Sequence, residues 1–365
     1  MRKIGIGIIG CGNISDAYLK AAPGFPVLDI LGVADINMAA AEAKAAVYGV
    51  NPLTVDDLLS DPRIEIILNL TTPQNHVPVG LQAVAHGKHV YCEKPLATTL
   101  PDAERLVAAA AERNVRIGCA PDTFLGGSHQ TTRRLLDDGV VGTVVAGSAF
   151  MQVPGHELWH PNPDFYYKPG GGPLMDMGPY YLTCLVNLLG PVKSVVGQAK
   201  SAYENRTIGS GPREGRKIDV EVATHVSGLM EFVNGAAISI TTSFDVWKHE
   251  HNHIELYGTT GSMIVPDPNR FDGDVRIARR KEAWAVAEQQ HSYGDGNYRI
   301  LGLADMAHAV VSGRPHRANH DISLHVLEIM ESILQAAETG RRIDLKHGCA
   351  RPEPMRADLP FGILE

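Results

Sequence analysis

Residues 1 to about 121 alternate short, nearly continuous apolar runs with Ala-rich stretches. The runs IGIGIIG (4–10), ILGVAD (30–35), IEIILNL (64–70), HVYCE (89–93) and VRIGCA (115–120) read as buried strands. Between them, MAAAEAKAAVYG (38–49) and PDAERLVAAAAERN (101–114) read as helices. The second helix opens on Pro101-Asp102, which suits a first turn: a missing N–H is tolerated there and a negative charge is favoured. Strand and helix in regular alternation predict a parallel, doubly wound sheet.

After Pro121 the pattern changes. The helical segment SHQTTRRLLDDG (128–139) leads into longer, alternating strand patterns. THVSGLMEFV and AAISITTSFDV flank Asn234-Gly235, a type I′ hairpin signal, and HIELYG and GSMIV flank a second tight turn. Two helices are predicted at about 299–312 and 322–339, and 204–217 is expected to be a mobile loop. The predicted fold is α/β: a doubly wound parallel sheet over 1–121, then an α/β domain over 122–365 with an open, mainly antiparallel sheet.

The 365 residues fit two domains, and 44% hydrophobic with 20% charged residues is ordinary for a globular protein. A net charge of −8 argues against a nucleic-acid or anionic-membrane partner, because both need a basic face. No segment reaches the ~18 uninterrupted apolar residues of a membrane span. The N-terminal apolar run is short and broken by glycines, so it reads as a strand rather than a signal peptide. Five scattered cysteines without a CxxC pair read as reduced thiols, and the expected location is the cytoplasm.

The first strand runs into GCGNIS, giving Gly10, Gly12 and Ser15 in a GxGxxS turn before a helix. Gly10 permits the tight turn, Gly12 lets backbone approach a pyrophosphate, and the small Ser15 lets helix pack on strand. Asn13 and Ile14, inside the turn, belong to the same cofactor site. Asp35 ends the second strand, where a carboxylate accepts from ribose hydroxyls and repels a 2′-phosphate. NAD is therefore expected, and NADP less so. The loop TTPQNHVP (71–78) follows an apolar strand and should face the cofactor; Thr71, Pro73, Asn75 and His76 are candidates to line it. For Asn75 and His76, capping the next helix is an equal alternative.

VYCEKPLATT (90–99), downstream of GxGxxS and TTPQNH, resembles the glucose–fructose oxidoreductase/inositol dehydrogenase (Gfo/Idh/MocA) family. The resemblance runs from residue 4 to the terminal helices. It implies a Rossmann domain, an open sheet that supports homodimers or homotetramers, and hydride exchange between NAD(P) and a sugar-like alcohol. It places Lys94 between nicotinamide and substrate, gives Pro95 a cis peptide, and sets Glu93 at the nicotinamide ribose. Independently, oxidising an alcohol requires a proton acceptor, and a cation such as Lys94 stabilises the forming alkoxide.

The family pattern GG-x-L-x-D-x-G-x-H is kept here at Gly171, Gly172, Leu174, Asp176 and Gly178, but position 180 is tyrosine. That resembles the branches in which tyrosine is the acid/base. A tyrosine near pKa ~10 needs help at neutral pH, and a close Lys94 would lower it. Pro179 would kink a helix begun at Pro173, so a helix starting at Asp176, with Asp176 as N-cap, is the alternative. Catalysis is thus assigned to Lys94, Asp176 and Tyr180.

For substrate, Asp122, Trp159 and His160 join Lys94, Asp176 and Tyr180. Asp122 and Thr123, with no arginine in that turn, suit a neutral, hydroxyl-rich molecule. Trp159 offers a flat face and His160 a hydrogen bond; packing or subunit contact is the alternative for each. His249, His251 and His253 alternate along an expected strand and read as a sheet face or interface, so no metal is expected. The resulting expectation is an NAD-dependent sugar, polyol or cyclitol dehydrogenase or reductase. The alternatives are an NAD-dependent glycoside hydrolase, acting by transient oxidation and elimination, and a non-catalytic NAD(H)-binding regulator.

Overall fold

A computed structural model describes residues 2–364. The first half of the chain runs β1 (Ile4–Ile9), α1 (Asn13–Ala21), β2 (Leu28–Ala34), α2 (Met38–Tyr48), β3 (Asn51–Leu53), α3 (Val55–Ser60), β4 (Ile64–Asn69), α4 (Pro73–Ala85), β5 (His89–Cys92), α5 (Leu100–Glu112) and β6 (Ile117–Cys119). The strands form one parallel sheet in the order β3-β2-β1-β4-β5-β6. β1 and β4 are buried on both faces, which is why their sequences read as continuous apolar runs. Chain order reverses between β1 and β4, so a crevice opens beyond their carboxyl ends. Register aligns those ends: Ile9 pairs with Asn69, and Asn69 with Cys92. Gly10, Thr71 and Glu93-Lys94, the residues just beyond, are thereby set side by side.

The chain continues through α6 (Gly127–Asp137), β7 (Val144–Gln152), α7 (Pro173–Leu189), β8 (Val192–Lys200), β9 (Asn205–Thr207), β10 (Lys217–Asp219), β11 (His225–Phe232), β12 (Ala237–Ser243), β13 (Ile254–Gly258), β14 (Gly261–Val265), β15 (Arg276–Arg279), β16 (Ala285–Val286), α8 (Leu301–Ser312), α9 (His320–Thr339) and β17 (Ile343–Asp344). Nine strands form a sheet in the order β16-β15-β14-β13-β7-β12-β11-β8-β17, antiparallel except where β7 meets β12. On one face α9 lies directly on Gly197 and Gly228: a Cβ at Gly197 would strike the Ile333 carbonyl, and one at Gly228 would crowd the Ile333 side chain at 3.2 Å. The opposite face is open: Val196, Leu229, Ser239, Ser148 and Glu255 share one register row, with Val196 and Leu229 exposed. α8 leaves the second sheet and packs against the first half, its Leu301, Ala304 and Met306 sharing a core with Tyr91, Ala120 and Phe124.

Three local expectations need correction. The segment 204–217 is ordered: β9 and β10 pair, Ile208 is buried, and the buried Arg206 is held by Glu157 at 3.0 Å and by Asp245. The Asn234-Gly235 hairpin exists, but its turn is not type I′, which needs positive φ at both central residues. Only Gly235 has it (φ +91°), and its N–H closes the turn on the Phe232 carbonyl at 2.9 Å. His249, His251 and His253 precede β13 rather than lying on it, so strand alternation does not govern where they face.

Candidate active site

At the end of β1, Gly10 has φ +106°, and a Cβ there would stand 2.6 Å from the Leu70 backbone. This backbone crossing, as much as the turn, requires glycine. Gly12 is the N-cap of α1; no side chain caps the helix, and a Cβ would meet nothing within 4 Å. An uncapped helix N-terminus with exposed Gly12 and Asn13 fits a pyrophosphate. Ile14 is partly buried and packs into the first-half core. Asp35 Oδ2 accepts from the Cys11 amide at 2.8 Å and Oδ1 from the Asn37 amide at 2.9 Å. Each oxygen keeps a lone pair for a ribose hydroxyl, so the residues present fit NAD. Cys11 is buried, and desolvation with the Asp35 charge pushes its thiol up to about 11, as suits a packing residue.

The 71–78 loop divides its candidates. Thr71 bonds Asn69 Oδ1 through both its N–H (3.2 Å) and its hydroxyl (2.7 Å). Pro73 is the first residue of α4, and Asn75 reaches back to the Thr72 hydroxyl at 3.0 Å. His76 is not a cap. It is buried between the carbonyls of Pro95 (2.7 Å) and Thr71 (3.0 Å), tying this loop to the one carrying Lys94, and burial lowers its pKa. Glu93 is also buried, accepting from the Tyr18 hydroxyl at 2.8 Å and the Lys94 amide at 2.9 Å. The Lys94–Pro95 peptide is cis.

α7 begins at Pro173, with Gly172 (φ +90°) as N-cap, not at Asp176. Pro at the first position needs no partner for its nitrogen. Asp176 therefore lies one turn in, its N–H on the Gly172 carbonyl at 3.0 Å and its side chain free for other contacts. Pro179 sits inside the helix and leaves the Met175 carbonyl without its N–H. Lys94 Nζ donates to Asp176 Oδ1 at 2.8 Å and to the Asp176 carbonyl, while His156 Nε2 meets Asp176 Oδ2 at 3.2 Å. Burial alone would raise the Asp176 pKa, but Lys94 and His156 hold it at about 2. Burial alone would lower Lys94, but Asp176, Tyr180 and Glu93 outweigh it and raise its pKa. The pair is ionised at neutral pH.

Tyr180 presents its ring, not its hydroxyl, to Lys94, whose Nζ lies 5.2 Å from the ring centroid. Its hydroxyl accepts from Arg299 Nη1 at 3.4 Å. Lys94 and Arg299 do lower the phenol's pKa as expected of close cations, but desolvation outweighs them and the net shift is upward. These residues line a cavity of about 360 Å³ together with His156, Trp159, Tyr166, Asn269, His249 and His253. Burial pushes the Tyr166 phenol up to about 12.

The other candidates divide. Asp122 is outside the cavity and buried; its Oδ2 accepts from the amides of Ile300 (3.1 Å) and Gly302 (2.9 Å), at the start of α8. Trp159 lines the cavity with its ring largely exposed. His160 does not; its Nδ1 accepts from the Asn162 amide at 3.1 Å. His253 Nδ1 is 2.8 Å from the Tyr181 hydroxyl, and His251 stacks on Phe150 at 4.0 Å. Among the described residues no group of three His, Cys, Asp or Glu could hold a metal, and no helix is long and apolar enough to cross a membrane. Sequence reasoning missed His156 and Arg299. His156 stood three residues before the Trp159-His160 pair that drew attention, and Arg299 reaches Tyr180 across 119 residues of chain.

Residues 4–120 match the family model described as "Oxidoreductase family, NAD-binding Rossmann fold", and residues 129–264 match "GFO/IDH/MocA C-terminal domain". Among curated relatives, levoglucosan dehydrogenase of Pseudarthrobacter phenanthrenivorans is 24% identical, over 83% of this chain and 85% of the relative. The 1,5-anhydro-D-fructose reductase of Ensifer adhaerens is 26% identical, over 94% and 98%. The solved structure of levoglucosan dehydrogenase with NADH and L-sorbose superposes with a TM-score of 0.82 at 20% identity, covering 94% of this chain and 99% of that one. That likeness shows the fold. The two family models together span well over half the chain, in order and on the two sheets described: the protein is a member of the Gfo/Idh/MocA oxidoreductase family, with an NAD-binding Rossmann domain.

Proposed function

We propose that the protein is an NAD-dependent dehydrogenase or reductase acting on a hydroxyl or carbonyl of a sugar, polyol or cyclitol. The observation that carries this reading is the partly buried Lys94–Asp176 pair, 2.8 Å apart, in the lining of a cavity that Tyr180 also lines. Bound NAD(H) supplies the hydride acceptor or donor. Lys94, ionised and fixed by Asp176, stabilises negative charge on the substrate oxygen as its proton leaves. Because Lys94 stays protonated it cannot itself take that proton; Tyr180 takes it in its ionised form, which burial disfavours and the Lys94 and Arg299 charges favour. In reduction the neutral Tyr180 hydroxyl returns it. His156 holds the second oxygen of Asp176, so that the first faces Lys94.

Trp159 and Tyr166 offer apolar ring faces, and Asn269, Arg299 and the histidines offer hydrogen bonds, a wall that suits a hydroxyl-rich ring. The names of the relatives, levoglucosan dehydrogenase and anhydrofructose reductase, support the same substrate class. Asp35 favours NAD over NADP. The open sheet face with exposed Val196 and Leu229 is the surface for self-association into a dimer or tetramer. The test is nicotinamide reduction across pyranoses, pentoses and inositols with NAD and with NADP. At least one ring sugar or polyol should be oxidised with NAD; tight NAD binding without turnover of any would favour a regulator.

A further inference from the structure

Tyr180 is flanked by two cations. Lys94 Nζ lies 5.2 Å from its ring centroid and the Arg299 guanidinium carbon 5.6 Å. Arg299 Nη1 also donates to the phenol oxygen at 3.4 Å, and Nη2 to Asn269 Oδ1 at 2.8 Å. The two charges are not equivalent. Lys94 shares its charge with Asp176, whereas among the described residues no carboxylate forms an ion pair with Arg299.

The backbone presenting Arg299 is strained. Ile300 has φ +128°, a region that β-branched residues avoid, and it is fully buried. Asp122 secures this geometry by accepting from the amides of Ile300 and Gly302. Strain of this kind persists only where its surroundings enforce it, and it collects at functional sites. Here the enforced conformation delivers a guanidinium to the tyrosine whose ring faces Lys94.

We propose that Arg299 acts through Tyr180 as a positioning and charge-balancing residue, setting the pH at which the phenol gives up its proton and so the pH at which the protein oxidises its substrate. The inference rests on Tyr180 being the proton carrier. Lys94 at the end of β5, Arg299 before α8, Glu93, Asp176 on α7 and Tyr166 in the 164–167 turn face the phenol or couple to it. Burial, Glu93 and Asp176 disfavour the phenolate; Lys94 and Arg299 favour it. In oxidation the substrate O–H proton passes to the phenolate, giving neutral Tyr180. The electron pair of the C–H bond would leave as the hydride that bound NAD accepts, and the carbonyl would form.

The test compares wild type, Arg299→Met, Arg299→Lys and Tyr180→Phe. Two quantities are read: kcat/KM against pH for oxidation of the first sugar turned over in the panel above, and the ultraviolet difference titration of tyrosinate in the NAD-loaded protein. The rising limb of kcat/KM and the titration step absent from Tyr180→Phe should both move up by about 1–2 pH units in Arg299→Met. Arg299→Lys, which keeps the charge, should move them less than half as far. Limb and step unmoved in Arg299→Met, with Tyr180→Phe inactive, would overturn the inference and leave Tyr180 as proton carrier. Wild-type turnover by Tyr180→Phe would overturn both.

Discussion

Lys94 Nζ lies 2.8 Å from Asp176 Oδ1, across 82 residues of chain, with one partner on the cofactor-binding half and the other on α7. A partly buried ion pair between two halves of a chain both orients the lysine and couples the halves. Breaking it from one side leaves the partly buried Lys94 ammonium without the carboxylate that orients it. Asp176→Asn should therefore lower kcat by about 10²-fold or more, with NAD affinity nearly kept. Stopped-flow turnover and NAD fluorescence titration check this.

The same pair sets a stability signature in acid. The folded-state pKa of Asp176, about 2, lies below its ordinary 3.8. Its contribution is fully present above 3.8 and is lost as pH falls through 2. Lys94 runs the other way: its raised pKa contributes below 10.5 and is lost only at higher pH. Urea unfolding between neutral pH and pH ~2 should show wild type losing its advantage over Asp176→Asn as the acid end is approached.

Lys94→Ala should reduce kcat by roughly 10²–10⁴-fold while the dissociation constant for NAD changes little. In the proposed mechanism the removed charge stabilises the substrate oxygen rather than the dinucleotide. Pre-steady-state kinetics with the same sugar separates the two effects; unchanged turnover would refute the assignment.

Asp35 and Gly10 make separable predictions for the cofactor. Asp35→Ala should weaken NAD binding by about tenfold or more and narrow its preference over NADP, through loss of a charged acceptor for the ribose hydroxyls. Gly10→Ala should destabilise the fold as well, by about 1–3 kcal/mol, since its Cβ would strike the Leu70 backbone at a positive φ. Isothermal titration and thermal melts distinguish the two.

Asp122 lies outside the cavity and anchors the start of α8, so Asp122→Ala should act first on stability, by about 1–3 kcal/mol. Burial raises the pKa of this carboxyl, and two backbone amides oppose that shift. If Asp122 contacted substrate, the sugar KM would rise without loss of melting temperature.

The first sheet was legible because its signals are local. Parallel strands buried on both faces read as unbroken apolar runs, and the GxGxxS turn lies within six residues of β1. That Asp176 and Tyr180 share one helix was legible because the family pattern spaces the two positions four residues apart. What the sequence hid depends on irregular segments. The start of α7 is ambiguous in the sequence because Pro179 argues against a helix begun at Pro173, and Gly172 ends the loop with a positive φ that only the fold reveals. His156 and Arg299 reach the site from a 3-10 turn and from the loop before α8, where no periodicity tells which way a side chain faces. The segment 204–217 looked mobile from its glycines and charges, but Arg206 is buried against Glu157 and Asp245, a pairing no local pattern announces.

The most direct test of hydride transfer between sugar and nicotinamide uses a sugar deuterated at the oxidised carbon. Wild-type protein should form NADH carrying that deuterium, and Lys94→Ala should form it at least about 10²-fold more slowly. NADH free of deuterium, or tight NAD binding with no label transferred from any sugar in the panel, would contradict the account.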